Sequence, residues 1–291
     1  MTRKVDEVIT AHRQLEGGGF VVRRPFPTAG LDLVDPFLLL DEMGPADYAP
    51  GEAVGAPDHP HRGFETVTYM LEGAFEHEDS AGNRGTIASG DVQWMTAGRG
   101  VVHSEMPTQA IREKGGRVHG FQVWVNLPAR DKMIAPRYQE VPSAGIPEAK
   151  SPDGLARVRV IAGEALGVRA VIDTHTPIVY QDWTLRPGAV VEQPVTEGQN
   201  AFVYVFGGSA EVGTDKTPLV DGQLGLLGPG DAVRLAVPAD AKDGARLLLL
   251  AGQPLKEPVA RYGPFVMNTQ AEIAQAFSDF RSGRLGEIQR V

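Results

Sequence analysis

Residues 58–107 read DHPHRGFETVTYMLEGAFEHEDSAGNRGTIASGDVQWMTAGRGVVHSEMP, and they hold four of the seven histidines of the chain. Two short clusters lie near the ends of this stretch, His59-Pro60-His61 and His103-Ser104-Glu105. In an extended chain, residues two apart point to the same side, so each cluster offers two ligand groups to one face. The spacing therefore predicts that three imidazoles and one carboxylate converge on a metal site in β structure.

The same stretch predicts a run of short strands. From Glu65 the residues alternate between two sides, and turns follow at Glu72-Gly73 and Gly90-Asp91. Strands that recur at a spacing of roughly 8–12 residues are typical of a sandwich or barrel. Upstream, PFLLLDEMGP (36–45) indicates a buried strand. The Pro-, Gly- and Ala-rich GPADYAPGEAVGAPDH (44–59) indicates a loop that leads to the first histidine pair.

The second half of the chain has the same pattern of short apolar segments separated by turns. Short apolar segments recur between residues 158 and 250, after a stretch rich in proline, alanine and charge that begins at residue 128. In this half LGPGDAVRL resembles IASGDVQWM of the first half, because each has a Gly-Asp turn that enters a strand. This weak internal repeat predicts two related barrels in tandem.

In the last segment, TQAEIAQAFSDFRSGRL (269–285), the spacing of apolar residues changes from that of a strand to that of a helix. Ile273 and Phe277 recur at helical spacing, and Thr269 is a candidate N-cap with Glu272 three residues later. This pattern predicts a short helix that packs on a barrel end.

Together these patterns predict an all-β fold with two tandem β-barrel domains of the jelly-roll type and a short C-terminal helix. We place the metal-binding domain at residues 1–137 and a second domain, which includes the helix, at residues 138–291. The 35 glycines and 22 prolines agree with this fold, because both residue types favour turns and short strands over long helices.

Composition excludes several classes of function. The net charge is −9 and the basic residues are scattered among acids, which argues against direct binding of nucleic acid. The chain has no cysteine, so disulfides, thiolate metal ligands and cysteine nucleophiles are excluded. The N-terminal residues are charged too early for a signal peptide, and no apolar run approaches the roughly 18 residues that span a membrane. We therefore expect a soluble cytoplasmic protein without a membrane partner.

Metal ligands in this chain must be nitrogen and oxygen atoms. Imidazole and carboxylate suit iron, manganese, nickel, copper or zinc, and three histidines with one glutamate are not the usual pattern of a structural zinc site. A six-coordinate metal would keep two positions open for a substrate and dioxygen. From the residues alone the carboxylate is ambiguous, because Glu65 could replace Glu105. A supporting or solvent-facing role for Glu65 is the simpler interpretation.

Four long segments resemble the pirin family, a branch of the cupin superfamily that is built from two β-barrel domains. They are HPHRGFETV (59–67), GDVQWMTAGRGVVHSEMP (90–107), HGFQVWVNLP (119–128) and YGPFVMNT (262–269). The resemblance covers nearly the whole chain. It implies one divalent metal in the N-terminal barrel, iron(II) ahead of nickel, copper, manganese, cobalt or zinc. The implied ligands are His59, His61, His103 and Glu105, so the resemblance favours Glu105 over Glu65.

The second barrel lacks such a ligand set. No His-x-His occurs after residue 120, and the comparable segment EQPVTEGQNAFVYVFGG (192–208) contains no imidazole. The sequence therefore predicts a metal-free second barrel that serves as a structural platform and partial lid.

The resemblance implies two kinds of activity. Several pirins are similar to cupin quercetinases, which cleave a flavonol with O2 and release carbon monoxide. In such a site a flavonol or other small phenol is the substrate, and Glu105 would accept the proton of the 3-hydroxyl in a dry cleft. The alternative is a non-enzymatic, iron-dependent redox sensor that binds a transcription factor or a metabolic enzyme. A zinc or manganese sugar isomerase on the cupin fold would share the ligands but not the four segments.

A cleft for a flat phenol needs apolar and aromatic walls. The candidates from the N-terminal barrel are Val67, Tyr69, Phe75, Trp94, Met95, Phe121 and Trp124. For each of them, packing in the core is an equally good interpretation. His119 and Gln122 could bond a substrate or a ligand histidine, or they could form a satisfied pair in the core, and both alternatives stay open.

Overall fold

A computed structural model describes residues 1–290, which form two compact units. The histidine unit, named for its candidate metal ligands, comprises Arg13–Pro27, Phe37–Ser143 and the described residues from Leu255 onward. The second unit comprises Met1–His12, Thr28–Pro36 and Ala144–Pro254. Each unit therefore combines segments that are distant in sequence. The division into contiguous domains at 1–137 and 138–291 stays a prediction.

Strands dominate both units. In chain order the elements are β1 Val5–Thr10, β2 His12–Glu16, β3 Phe20–Phe26, β4 Phe37–Tyr48, β5 Ala56–His61, β6 Phe64–Glu72, β7 Phe75–Asp79, β8 Arg84–Ile87, β9 Val92–Thr96, β10 Val101–Pro107, α1 Gln109–Lys114, β11 Gly116–Asn126, β12 Arg137–Val141, β13 Glu148–Lys150, β14 Ala156–Ala162, β15 Glu164–Ala165, β16 Val168–Arg169, β17 Ile178–Leu185, β18 Val190–Pro194, β19 Asn200–Val212, β20 Thr217–Val220, β21 Gln223–Leu227, β22 Ala232–Ala236, β23 Ala245–Gly252, β24 Ala260–Tyr262, β25 Phe265–Met267 and α2 Gln270–Arg281. Single turns of 3₁₀ helix span Ala129–Asp131 and Ser143–Gly145.

The histidine unit is built on two sheets. The larger has the strand order β12-β9-β6-β11-β4-β3-β2, and the smaller has the order β5-β10-β7-β8. Because side chains alternate along each strand, both sheets turn one set of residues inward. Apolar residues of the two sheets meet in one buried cluster, which contains Val22, Met43, Met70, Phe75, Ile87 and Val118. This architecture confirms the predicted all-β fold.

Helix α2 packs in the histidine unit. Its predicted start is confirmed, because the Thr269 side chain accepts from the Glu272 backbone N–H and Glu272 bonds back to Thr269 in a capping box. Ile273 and Ala276 are buried against β10 and the β24–β25 hairpin, in a cluster with Val102 and Phe265. The helix thus makes its core contacts with strands that lie far upstream in the chain.

A buried lysine connects three segments of the histidine unit. Lys132 is 1 % exposed, and its Nζ donates to the Gly63 carbonyl at 2.7 Å, to Asn126 Oδ1 at 2.7 Å and to the Val266 carbonyl at 3.1 Å. An ammonium group has three donors, so the three acceptors satisfy it completely. Lys132 therefore joins the turn before β6, the end of β11 and strand β25.

The second unit is a sheet of ten strands with a strongly aliphatic interior. Its main path is β1-β21-β19-β23-β17-β14-β13; β20 and β22 pair with β19, and β18 pairs with β22. Trp183, Val203, Leu247 and many other buried residues form one large core cluster. The predicted second barrel is therefore present, and its first strand, β1, comes from the N-terminal residues.

The internal repeat that suggested two barrels is not a structural equivalence. The first Gly-Asp turn enters β9, which pairs with β6 and β12. The second Gly-Asp turn enters β22, which pairs with β18 and β19. Because the two strands have different neighbours in their sheets, the match reflects common turn chemistry, although the inference of two barrels was sound.

The predicted loop over residues 44–59 was wrong at both ends. Strand β4 continues through Gly44-Pro45 to Tyr48, and β5 already begins at Ala56. The partner strand β11 shifts register between Val118 and Gly120, which accommodates the proline that cannot donate to a ladder. A Cβ at Gly44 would lie 2.3 Å from the Val118 carbonyl oxygen, so this close approach requires glycine.

Helix α1 was not predicted. It has six residues and none of them is buried, so it has no apolar periodicity to detect. No helix within residues 1–290 is both long and apolar enough to cross a membrane.

Candidate metal centre

The pairing of β5 with β10 brings the three predicted histidine ligands together. His103 lies directly opposite His59 in this antiparallel pair, and His61 follows His59 by two residues on the same face. The ring centroid of His59 is 4.4 Å from that of His103 and 4.7 Å from that of His61. One ring nitrogen from each residue lies within 4.8 Å of the others. The three imidazoles therefore form a single cluster that could hold one metal ion.

Two of the histidines are neutral in the metal-free protein. His61 and His103 are buried, and this desolvation lowers the pKa of each imidazole well below its ordinary value. The charge that His59 carries when protonated lowers both pKa values further. At neutral pH each ring therefore offers a lone pair, which a metal ligand requires.

Backbone carbonyls orient two of the rings. His59 Nδ1 lies 2.7 Å from the Pro57 carbonyl oxygen, and His61 Nδ1 lies 3.2 Å from that of Pro264. Because a carbonyl only accepts, both Nδ1 atoms donate and Nε2 is left for a metal, the arrangement typical of ligand histidines. Both ring nitrogens of His103 are buried and make no hydrogen bond in the described part of the chain. An unsatisfied buried imidazole between two oriented ones fits a metal held by nitrogen.

Glu105 lies beside the histidines and is held from the opposite sheet. The β10–β5 pairing shifts register between His103 and Glu105, and such an irregularity re-aims a side chain. The carboxylate accepts from Thr68 Oγ1 at 2.7 Å and from Gln122 Nε2 at 3.1 Å. Thr68 and Gln122 are direct cross-strand neighbours on β6 and β11. The cluster with ligand atoms within 4.8 Å consists of the three histidines, so Glu105 as fourth ligand stays a prediction.

Glu65 lies elsewhere. Glu65 and Thr68 are three residues apart on β6, so their side chains point to opposite faces of the sheet. On its face Glu65 is fully buried and accepts a hydrogen bond from Thr96 Oγ1 at 2.7 Å. Burial raises the pKa of Glu65 to about 7, although the hydrogen bond from Thr96 lowers it. The fold thus gives Glu65 a buried partner on the face opposite to the histidine cluster.

Two of the three clustered histidines, His59 and His61, line a cavity of 480 Å³. Its lining includes His59, His61, Glu105, Gln122, Trp124, Phe20, Leu39, Glu16, Arg24, Asp41 and Arg261. Of the seven predicted wall residues, Trp124 alone belongs to the cavity lining, and its ring lies 5.2 Å from that of His61. The other six are buried core residues, so the packing interpretation was correct for them. The apolar wall is supplied instead by Phe20 and Leu39.

The two residues whose roles were left open have different partners. Gln122 bonds the Glu105 carboxylate, whereas His119 Nε2 lies 2.8 Å from Glu42 Oε1. Thr68 and Pro264 were missed, because their contacts with the site depend on strand register and on a segment far along the chain. Strand alternation places Thr68 on one face, but it does not say what that face contacts.

A valine at position 68 is expected to weaken metal binding about tenfold, because residues that orient ligands typically contribute 10- to 100-fold to affinity. Valine keeps the shape of the Thr68 side chain but cannot donate to Glu105. A chelator-competition titration measures the change, with Thr86→Val at an exposed position of β8 as the control. Equal affinities of Thr68→Val and wild type would contradict a role for the Glu105 carboxylate in metal binding.

The second unit has no equivalent site. It contains a larger cavity of 680 Å³, but no histidine lines it. In the strand pair β18–β22, Gln193 lies opposite Val233 and Val191 opposite Leu235, and all four are buried. Aliphatic side chains thus occupy most of the positions where a strand pair could present ligands.

Known proteins support these findings. The pirin family profile matches residues 19–125, and the profile of the pirin C-terminal cupin domain matches residues 180–286. A pirin-like protein of Solanum lycopersicum is 47% identical over 285 residues, which cover 98% of this chain and 93% of that protein. Pirin of Homo sapiens is 44% identical over 290 residues, which cover 98% of this chain and 94% of that protein. The crystal structure of quercetin 2,3-dioxygenase from Acinetobacter baumannii is 38% identical, with a TM-score of 0.92, and the match covers 99% of this chain and 100% of that one. The chain belongs to the pirin family.

Proposed function

We propose that this protein is a metal-dependent dioxygenase that cleaves flavonols with O2, in the manner of a quercetin 2,3-dioxygenase. The observation that carries the proposal is the cluster of His59, His61 and His103, of which His59 and His61 line a 480 Å³ cavity together with Glu105. A cavity of this size accommodates a small organic molecule, and its apolar walls suit an aromatic one. The similarity to the Acinetobacter baumannii enzyme supports the same substrate class.

The three histidines, with Glu105, would hold one divalent metal, and iron(II) is the first candidate. Such a metal supplies Lewis acidity and open coordination positions for a substrate oxygen and O2. The ligand set contains nitrogen and oxygen without sulfur, and this composition suits several divalent ions. The identity of the metal is therefore part of the proposal and needs its own test.

The residues of the chain supply binding and proton transfer. Trp124, Leu39 and Phe20 would pack against the flat rings and exclude water from the reacting bond. Glu105 would accept the proton of the flavonol 3-hydroxyl, because an ionised carboxylate only accepts hydrogen bonds. Thr68 and Gln122 bond one carboxylate oxygen each and so hold Glu105 in position for that transfer.

The metal-free protein reconstituted separately with iron, nickel, copper, manganese and cobalt is expected to consume quercetin and O2 in equal amounts with at least one metal. Glu105→Gln should lower the rate by about 10²–10⁴-fold, the usual contribution of a general base. The measurements are O2 uptake and loss of flavonol absorbance, with metal content determined in parallel and Glu113→Gln on the exposed surface of α1 as the control.

Persistence of quercetin with every metal would overturn the dioxygenase proposal. The alternative of an iron-dependent regulator then predicts a different result. A protein partner would be captured from a lysate by one oxidation state of the iron-loaded protein and not by the other.

A further inference from the structure

The cavity that His59, His61 and Glu105 line also contains a charged cluster. Arg24 donates to Asp41 through two parallel bonds, from Nε and Nη2, each of 2.6 Å. Arg24 Nη1 lies 2.7 Å from Glu16 Oε1, which also accepts from Gln14 Nε2 at 2.8 Å. Glu16, Arg24 and Asp41 all line the cavity. We call these three residues the Glu16–Arg24–Asp41 cluster.

Strand order gives the separation of this cluster from Gln122, the residue that bonds Glu105. Gln122, which bonds Glu105, lies directly opposite Asp41 of β4, and Arg24 belongs to the next strand, β3. Neighbouring strands are about 4.8 Å apart, so Arg24 is roughly 10 Å from Gln122 across the sheet. This separation is about the span of two linked aromatic rings. Because His59, His61 and the cluster line the same cavity, a flat ligand with one end at these histidines would present its other end to the cluster.

The rim of the cavity next to Glu16 has a fixed shape. Gly17 has a φ of 51°, and a Cβ at this position would lie 2.5 Å from the Phe20 ring. The Gly18 N–H donates to the Gly55 carbonyl at 2.8 Å, which fastens the turn between β2 and β3 to the segment before β5. Glu16 and Phe20 are therefore held close together beside the cavity, one as an acceptor and the other as an apolar surface.

The chemistry of the cluster favours a neutral hydrogen-bond donor. Glu16 and Asp41 share the Arg24 guanidinium, and the other arginine of the cavity, Arg261, donates to the Leu38 carbonyl and lies over the Trp124 ring. The charges of the two carboxylates and the two guanidiniums balance, so the site offers no net charge to an ionic ligand group. All three guanidinium nitrogens of Arg24 already face carboxylate oxygens. The Glu16 side chain is 36% exposed, and its contacts with Gln14 and Arg24 are made through Oε1. Glu16 Oε2 is thus placed to accept from a ligand hydroxyl.

We propose that the Glu16–Arg24–Asp41 cluster recognises hydroxyl groups on an outer ring of the substrate, the ring farthest from the metal candidates. This inference rests on the proposed flavonol substrate and names the residues that select within that class. Glu16 accepts the hydrogen bond, and Arg24 and Asp41 hold it in place. An outer ring without hydroxyls makes no hydrogen bond to Glu16 Oε2, so it binds less tightly.

Equilibrium binding without O2 tests this assignment independently of turnover. The probes are quercetin and 3-hydroxyflavone, which lacks the outer-ring hydroxyls, and quenching of tryptophan fluorescence reports binding because Trp124 lines the cavity. Wild type is expected to bind quercetin more tightly. Glu16→Ala should weaken quercetin binding about fivefold and change 3-hydroxyflavone binding by less than about twofold, as expected for loss of one hydrogen bond of ordinary strength at a partly exposed side chain.

Matched variants separate recognition from folding. Glu113→Ala removes a carboxylate from the exposed face of α1 and should leave both affinities unchanged. Glu16→Gln keeps an oxygen acceptor and should give an intermediate quercetin affinity. Galangin lacks hydroxyls on the pendant ring but keeps those on the fused ring, so it shows which of the two rings the cluster contacts. If Glu16→Ala weakens the binding of galangin as much as that of quercetin, the fused ring is the one recognised.

The outcomes distinguish this inference from the proposed activity. Equal losses for quercetin and 3-hydroxyflavone in Glu16→Ala, or no loss for either, would overturn recognition by the cluster even if the enzyme turns over flavonols. Failure of wild type to bind either flavonol would overturn it as well. Selective binding without O2 uptake under any metal would sustain the recognition site and overturn the dioxygenase proposal alone.

Discussion

Replacement of His103 by alanine is expected to remove the bound metal from the protein, from about one ion per chain in wild type to none after dialysis. His103 is fully buried, lies opposite His59 and is 5.0 Å from the His61 ring centroid to centroid. Its loss leaves only two imidazoles in the cluster. Elemental analysis of wild type, His103→Ala and His59→Ala measures the change, and His12→Ala, an exposed histidine of the second unit, is the control.

Thermal unfolding gives a second readout of the same substitution. Metal that binds only the folded state raises its stability by an amount that grows with metal concentration. Wild type should therefore show a rise in Tm on addition of metal, and His103→Ala should show none. Without metal, His103→Ala should unfold at a somewhat lower temperature than wild type, because alanine leaves a cavity in place of a fully buried imidazole. The readout is therefore the change in Tm on addition of metal within each protein. Unchanged metal content in both His59→Ala and His103→Ala would show that the site lies elsewhere.

Lys132→Met is expected to lower the free energy of unfolding by about 3 kcal/mol, from three lost hydrogen bonds of about 1 kcal/mol each. Methionine has similar length, so it fills the space but leaves the acceptors of Gly63, Asn126 and Val266 without their donor. Burial lowers the pKa of Lys132 to about 8, which still leaves the amine charged at neutral pH. The measurement is urea denaturation, in which a lower midpoint with an unchanged m-value reports a loss of stability.

The control for this change is Lys114→Met, at an exposed position at the end of α1. Surface substitutions of this kind usually alter stability by less than about 0.5 kcal/mol. A loss of similar size in both variants would mean that the three bonds of Lys132 contribute nothing specific.

The three histidines of the cluster were predictable in part, because the spacing of residues along a strand is local information. The spacing of His59 and His61 already places both on one face of a strand, and His103 repeats the pattern on another strand. The sequence does not reveal that His103 and His59 lie opposite each other, because register depends on the whole sheet. The helix start at Thr269 was likewise local, since a capping box needs only four residues.

The walls of the cavity could not be predicted, because they depend on contacts between distant segments. Trp94 and Phe121 are as aromatic as Trp124, but they point into the core, whereas Trp124 lines the cavity together with Phe20 and Leu39. Composition does not distinguish these cases, since alternation assigns two faces without saying which face is core. The continuation of β4 through Gly44-Pro45 was missed for a related reason, because pairing with β11 overrides two residues that usually end a strand.

One contact of the histidine cluster has a consequence for protein synthesis. The carbonyl that orients His61 belongs to Pro264, which is 203 residues farther along the chain. A ribosome therefore releases all three histidines, and then most of the second unit, before it incorporates the residue that fixes the His61 ring. During most of translation the nascent chain carries its ligand side chains without their final geometry. Loading of the metal is thus expected to follow completion of the polypeptide, and a chain that stalls before residue 264 should emerge without it.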